Sequence, residues 1–423
     1  MLDLQISDLG ANGSGVAKQG GFVYFVPFSI DGEMVEAEIV KSEKRYAVAK
    51  VTKVIEKSAY RTKPACPYFE KCGGCSLQHM TYQKQLAYKT NFIKNELYRA
   101  FGCEIAIDEC FPSKNQLNYR NKINFNIKNN KLCFLDVNNQ PIQINYCPLF
   151  CSEINKNIIS IFNNYFSEIK NKFFALHIRK ISEKYQFTLI SSDFELKNQE
   201  KLVNSLKLLE IQFSLFVSKS VSQTSSNITD NIVCKYGEPA VSYNVGGASC
   251  QVSPGAFLQV NEDVQNEIYK QISVMIKPNS RIVNAYGGTG ILAVALAKEV
   301  EKVFSIEINK AAAGDCKQLF ENNKIENAIS ICGDCKYEVP KLLKKEKIDA
   351  VILDPPRSGV EKSILDMIKK TDIQEIIYLS CSPQTLIRDL KVLQECFYID
   401  SVKPYDMFPQ TYHIETLVKL SRK

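Results

Sequence analysis

The 423-residue chain has no tryptophan and only three histidines, His79, His177 and His413. Histidines so few and so scattered exclude a histidine-rich metal centre. No apolar run is long enough to span a bilayer, and the opening Met1-Leu2-Asp3-Leu4 carries no apolar secretion segment. The expected protein is cytoplasmic, makes no use of a membrane, and keeps its 15 cysteines reduced rather than paired. No charge of one sign dominates. Lys and Arg number 53 against 46 Asp and Glu, a net charge of +7, which permits a polyanionic partner without requiring one. The length allows two or three domains, each with its own core.

What is present is organised around Tyr378-Leu379-Ser380-Cys381-Ser382-Pro383. The apolar run Ile376-Ile377-Tyr378-Leu379 reads as a buried parallel strand. Ser382-Pro383 breaks it, and residues 384–393 read as a helix. Cys381 then sits at the carboxyl end of a strand, where open α/β sheets bind ligands. The helix N-terminus downstream is expected to favour its thiolate. The competing reading of Cys381 is a small buried hydrophobe.

Upstream, strand and helix alternate over the last 175 or so residues, as in a doubly wound sheet. Arg281 to Tyr286 reads as a strand, Gly287-Gly288-Thr289-Gly290 as a tight loop, and Ile291 to Lys298 as a helix. Such glycines let a cofactor approach the backbone. The next strands end in Glu307, in Asp334, and in Asp354-Pro355-Pro356-Arg357. Their carboxyl ends line one cleft, with Glu307 placed to bind a ribose. A nicotinamide dehydrogenase would share the glycine loop and Glu307, but would not need a strand-end cysteine after Asp-Pro-Pro-Arg. Cys332-x-x-Cys335 could form a redox pair, but incidental placement near the cleft is the favoured reading. Glu415 starts a closing strand and offers a carboxylate base beside the thiol.

The rest of the chain has two further patterns. Residues 1–57 carry short strand-like runs broken by glycine, which suggests a small OB-like barrel. Lys41, Lys44, Arg45, Lys50 and Lys53, with Tyr24 and Tyr46, would suit a nucleic-acid-facing surface or be merely solvated. Next, Cys66, Cys72 and Cys75 fall within ten residues, the last two separated by Gly73-Gly74. Thiolates are soft ligands that suit an iron–sulfur cluster or zinc. Cys147 is the expected fourth ligand and Cys151 the fallback. Residues 78–98 read as a helix. Residues 115–244 read as an antiparallel sheet module, with strand candidates at 119–127, 173–190 and 211–221.

Taken together, these motifs resemble the uracil-C5 RNA methyltransferase family. The resemblance rests on Asn12-Gly13-x-Gly15-Val16-Ala17 (similar to a TRAM domain), Cys66-x5-Cys72-Gly73-Gly74-Cys75, Cys147-Pro148-Leu149, Tyr119-Arg120-Asn121-Lys122 and Phe257-Leu258-Gln259-Val260-Asn261. It extends through Tyr286-Gly287-Gly288-Thr289-Gly290, Asp354-Pro355-Pro356-Arg357, Ser380-Cys381-x-Pro383-x-Thr385-x-x-Arg388-Asp389 and Asp406-Met407-Phe408-Pro409-x-Thr411-x-His413-x-Glu415. The chain departs from the pattern at Asn284, where the family usually has Asp, at Gly287, where it has Cys, and at Ser382, where it has Asn.

The resemblance implies an α/β protein: a Rossmann-like S-adenosylmethionine-dependent methyltransferase domain (79–111 and 245–423), an N-terminal OB-like barrel (1–57) and a central α+β domain (58–78 and 112–244). It implies methyl transfer from S-adenosylmethionine to carbon 5 of a uridine in RNA, with Cys381 as nucleophile and Glu415 as base. Gln259, Tyr286, Gly288, Gly290, Glu307, Asp334 and Asp354 would contact the cofactor, and Cys66, Cys72, Cys75 and Cys147 would hold a [4Fe-4S] cluster. A monomer acting on 23S rRNA is expected, with tRNA as the alternative target. Two other classes are a methyltransferase for adenine or protein nitrogen, disfavoured by Cys381, and a catalytically lapsed RNA-binding protein.

Overall fold

The computed structural model describes residues 1–169, 173–220, 227–229, 231–245 and 248–423. Six strands form the N-terminal sheet: β1 (Leu2–Gln5), β2 (Asp8–Leu9), β3 (Gly15–Gln19), β4 (Phe22–Val26), β5 (Met34–Ser42) and β6 (Tyr46–Glu56). Their order is β1-β5-β6-β4-β3-β2, and the sheet curls until Ser7 N donates to Val16 O across the open side. Leu4, Val26, Val35, Ala37 and Ala49 fill it, while Lys44, Arg45, Lys50 and Lys53 stay exposed.

An ion pair and a small apolar core seat the barrel on residues 61–88. The buried Glu33 carboxylate accepts from Arg61 Nε at 2.5 Å and Nη2 at 2.7 Å, and from Ile30 N at 2.9 Å. Burial pushes the Glu33 pKa up, but Arg61 and these N–H donors outweigh it and hold the carboxyl below its ordinary range. Ile30 also shares a small core with Leu77, Met80 and Tyr88. Tyr88 lies on α1 (Tyr82–Phe101), which starts four residues later than the sequence pattern suggests. Residues 78–81 are instead spent on the bridge between Arg61 and Met80 and on Gln78 Oε1, which accepts from Cys66 N.

The central sheet contains β7 (Lys122–Lys128), β8 (Lys131–Leu135), β9 (Pro141–Gln143), β10 (Phe173–Ile181), β11 (Lys184–Ser191), β12 (Gln212–Lys219) and β13 (Ile232–Tyr236), with α2 (Asn155–Glu168) and α3 (Gln199–Lys207) packed on it. It is not wholly antiparallel as expected, because β11 and β12 run parallel. The intervening α3 buries Leu202, Val203 and Leu206, and such a helical crossover is what a parallel pair needs. Of the 211–221 strand candidate, Val221 lies outside the described residues.

After the hairpin of β14 (Val241–Val245) and β15 (Ala248–Val252) comes α4 (Glu262–Met275). The last layer alternates β16 (Arg281–Ala285), α5 (Ile291–Leu296), β17 (Lys302–Glu307), α6 (Lys310–Asn322), β18 (Ala328–Cys332), α7 (Cys335–Lys345), β19 (Ala350–Leu353), α8 (Lys362–Lys369), β20 (Glu375–Ser380), α9 (Pro383–Leu393), β21 (Phe397–Tyr405) and β22 (Glu415–Arg422). The strand order is β18-β17-β16-β19-β20-β22-β21, parallel except where β22 runs against β20 and β21. Alternate residues enter opposite cores: Ile282, Ile352 and Ile377 on one face, Val283, Val351 and Ile376 on the other. Helices cover both faces, which is why these strands are apolar throughout. Burying one such side chain stabilises by about 1.5–3 kcal/mol. The chain order reverses between β16 and β19, and a ligand crevice is expected at that point. Among the described residues, no helix is long and apolar enough to cross a membrane.

Candidate active site

The glycine loop after β16 is held by close packing. Tyr286, Gly288 and Gly290 have φ of 61°, 56° and 84°, the left-handed region that glycine tolerates best. A Cβ on Gly290 would lie 2.4 Å from Cys316 Sγ, and one on Gly287 would lie 2.0 Å from Ser305 Oγ. Gly287 therefore replaces the family cysteine where Ser305 leaves no room for it. Asn284, expected at the cofactor's amino-acid end, is 1% exposed beneath this loop, and its Nδ2 donates to Ser305 Oγ at 3.4 Å. A carboxylate there would be buried, so the neutral amide fits.

Glu307, at the end of β17, accepts from Gly288 N at 2.9 Å and Asn309 N at 2.7 Å. It ties the glycine loop to the neighbouring strand. Asp334 caps α7 by accepting from Lys336 N. Gln259 is half-buried, and its carbonyl accepts from Asn121 Nδ2 at 2.9 Å. Tyr119-Arg120-Asn121 is not strand but junction. Tyr119 Oη donates to Pro409 O, Arg120 N donates to Leu149 O, and Asn121 N donates to Val260 O.

Cys381 follows β20, and Glu415 opens β22. The antiparallel register pairs Leu379 with Leu417 and Ser380 with Thr416, so the next step sets Cys381 opposite Glu415. Leu353 pairs with Tyr378 in the strand on the other side, which brings Asp354 alongside. The loop after Asp354 is anchored through α9. Asp389 accepts from Tyr378 Oη at 2.7 Å, Val360 N at 2.8 Å and Arg388 Nε at 2.8 Å. Thr385 Oγ1 donates to Arg357 O. The Thr-x-x-Arg-Asp motif is thus the brace that holds Asp354 and Arg357 to the cysteine turn.

The electrostatics reverse one expectation. Burial pushes the Cys381 thiol up to about 11, assisted by Glu415 and Asp354 and opposed by Arg357. At about 11 the thiol, not the thiolate, is the favoured form at neutral pH. Burial also pushes Asp354 up to about 7. Glu415, 2% exposed, is raised well above its ordinary range by burial and Asp354, with Arg357 opposing. Burial, with Arg357 beside it, lowers His413 to about 4. A pocket of about 270 Å³ opens beside Cys381, lined by Arg357, Pro383, His413, Phe92 and, from the barrel, Ala11 and Asn12. Arg357, His413 and Asn12 stand in sequence motifs that give them no role, and only the fold brings them together.

The protonated thiol makes a direct prediction. Iodoacetamide labelling of the Cys381 peptide, followed by mass spectrometry, should keep accelerating about tenfold per pH unit to above pH 10. An ordinary thiol with pKa of about 8.5 levels off by pH 9.5. A plateau at pH 9 would contradict the burial argument.

Away from this pocket, Cys66, Cys72, Cys75 and Cys147 line one cavity of about 470 Å³, together with Arg120 and Lys122. Cys151 does not line it. Burial pushes Cys75 up to about 12 and Cys147 up to about 11; Cys75 is raised further by Cys147, Cys72 and Cys66, and Cys147 by Cys66 and Cys72. Among the described residues, no three Cys, His, Asp or Glu side chains are gathered to ligating distance. The donor set nevertheless fits a thiolate-held group. Gly74 N already donates to Cys72 Sγ, the Gln78 side chain hydrogen-bonds Cys75, and Arg120 Nε is a buried donor lacking a partner among the described residues.

Residues 81–423 match the tRNA (Uracil-5-)-methyltransferase family, and residues 1–52 match the TRAM domain. An uncharacterized RNA methyltransferase of Clostridium tetani is 32% identical, covering 99% of this chain and 96% of that protein. One from Fusobacterium nucleatum is 30% identical, covering 100% and 96%. The fold matches the crystal structure of the Pyrococcus abyssi tRNA (uracil-54, C5)-methyltransferase in complex with S-adenosyl-L-homocysteine, with TM-score 0.78 and 22% identity, covering 99% of this chain and 100% of that one. With matches that span both the barrel and the cysteine-bearing sheet, the chain belongs to the tRNA (uracil-5-)-methyltransferase family.

Proposed function

We propose that the protein methylates carbon 5 of a specific uridine in RNA, using S-adenosylmethionine and a covalent bond from Cys381 to carbon 6. The observation that carries this reading is the register that sets Cys381 opposite Glu415, with Asp354 and Arg357 beside them. S-adenosylmethionine would supply an electrophilic methyl group on a sulfonium. Tyr286, Gly288 and Gly290 would line its methionine end, with Gln259 across from them, Glu307 at its ribose, Asp334 at its adenine and Asp354 at the border with the base.

Carbon 5 of uracil is a poor nucleophile, whereas carbon 6 is electrophilic through conjugation with the 4-carbonyl. The Cys381 thiol gives its proton to a carboxylate, and Asp354, at about 7, has suitable basicity. The sulfur then bonds carbon 6, which leaves an enolate with electron density at carbon 5. Carbon 5 would take the methyl group from the sulfonium, whose sulfur would keep the bonding pair and leave as a neutral thioether. Glu415 accepts the carbon 5 proton, the sulfur–carbon bond breaks, and the double bond re-forms as Cys381 leaves. A carboxylate whose pKa is raised is a stronger base once ionised, which suits Glu415 to a carbon acid. The base must leave any stack to reach this pocket.

The favoured target is 23S rRNA, from the pairing of a TRAM barrel with four cluster-type cysteines. A tRNA uridine is the second reading, because the P. abyssi tRNA enzyme shares this fold along 99% of the chain. Mapping 5-methyluridine in rRNA and tRNA from cells with and without the gene decides between them. Loss from neither RNA would contradict the proposed activity.

Cys66, Cys72, Cys75 and Cys147 would hold a [4Fe-4S] cluster that clips the loop at 66–75 to the central sheet. Protein purified anaerobically should be brown, with about four iron and four sulfide per chain. Cys147→Ser should lose the colour, and Cys151→Ser should keep it. Zinc in place of iron, or colour loss only in Cys151→Ser, would contradict the assignment.

A further inference from the structure

The barrel touches the pocket of Cys381 through its β2–β3 turn, residues 10–14. The turn is closed on itself, with Gly10 N donating to Ser14 O at 2.8 Å and Gly13 N donating to Gly10 O at 2.9 Å. It is also fastened to the rest of the protein, because Tyr88 Oη on α1 donates to Gly10 O at 2.8 Å. Gly13 has φ of 74°, and a Cβ on it would lie 2.5 Å from Leu77 Cδ2 and 3.7 Å from Tyr412 Cβ. Tyr412 is itself held, its N–H donating to Ser76 Oγ at 3.0 Å. The turn therefore sits in a fixed place, with Ala11 and Asn12 in the wall that also contains Cys381 and Arg357.

Asn12 is exposed, and its Oδ1 accepts from Ser14 N at 3.2 Å. That bond orients the amide and leaves its NH2 without a protein partner among the described residues. A uridine nucleotide seated at Cys381 presents carbonyl and phosphate oxygens, all of them acceptors, so an oriented neutral donor in the wall is chemically matched to it. We propose that the barrel turn is part of the catalytic pocket and that Asn12 positions the target nucleotide beside Cys381. The inference rests on the uracil methylation reading above. It assigns the barrel a role at the reacting nucleotide, distinct from attraction by its surface lysines.

The test uses full-length protein and the RNA that the wild type methylates. Asn12→Ala should lower kcat/KM for RNA by about 3- to 10-fold, mostly through KM, as expected for one lost neutral hydrogen bond. Asn12→Ser, which keeps a donor, should recover part of the loss. S-adenosylmethionine affinity and melting temperature should not change in either variant. Gly13→Val, which must push the turn off Leu77, should lose more than Asn12→Ala. Asn12→Ala within twofold of wild type, or Asn12→Ser no better than Asn12→Ala, would overturn the proposal. A wild-type protein that methylates no uridine would overturn the functional reading itself, a different result from an active wild type with an indifferent Asn12.

Discussion

Glu415→Gln should turn the protein into a trap for its own substrate. Glutamine keeps the shape of the side chain opposite Cys381 but has no basicity. Addition of Cys381 and transfer of the methyl group do not need a base at carbon 5, whereas elimination does. Carbon-bound protons are lost slowly without a placed base, and such a base contributes about 10²- to 10⁴-fold. The variant should therefore stop with RNA bonded to Cys381 and the methyl group already in place. The expected readout is a protein–RNA adduct that survives denaturing gels and carries label from the cofactor's methyl group. Cys381→Ala should give neither adduct nor product, and Cys381→Ala/Glu415→Gln should match Cys381→Ala. Turnover by Glu415→Gln near the wild-type rate, with no adduct, would assign the proton to another group.

A second large effect is expected at a pair that takes no part in the proposed chemistry. Lys89 on α1 donates to Asp406 Oδ1 at 2.5 Å just after β21, and both side chains are fully buried. Asp406 N donates to Phe111 O, and Lys89 Nζ also reaches Phe408 O at 3.3 Å. The pair pins the helix before the central domain to the segment that leads into His413 and Glu415. Removing one partner strands the other as a buried charge, which costs about 3–5 kcal/mol. Lys89→Met should lower the melting temperature of the catalytic domain by about 6–20 °C, at about 2–4 °C per kcal/mol. Lys89→Met/Asp406→Leu should regain at least half of that loss, because no charge is left unpaired. A Lys89→Met protein that melts with the wild type would show that water reaches the pair.

The two predictions divide along the same line as the legibility of the sequence. The residues proposed to react sit on local patterns: an apolar run stopped by Cys381-Ser382-Pro383, a glycine loop after β16, and Glu415 at the head of a strand. Period and turn chemistry are short-range properties, so they place such residues well. The supports are different. Lys89 and Asp406 are 317 positions apart, Tyr88 and Gly10 are 78 apart, and Asn121 reaches Gln259 across 138. No local pattern records such partners. Asn284 and Gly287 look like separate departures from the family, yet both face Ser305, which explains them together. The parallel β11–α3–β12 crossover is hard to read because a nine-residue helix in an asparagine-rich stretch has a weak signal. The protonation of Cys381 escapes the sequence for a further reason. A helix terminus is visible there, but the carboxylates that raise the thiol, buried Glu415 and half-buried Asp354, are brought to it by the fold.

The most direct test of the account is tritium release from RNA labelled with tritium at carbon 5 of uridine. Methylation at carbon 5 must expel that hydrogen, so wild-type protein should release one tritium to water for each methyl group transferred. Cys381→Ala should release none and transfer none. Methyl incorporation without tritium release, or full release by Cys381→Ala, would contradict methylation of carbon 5 through Cys381.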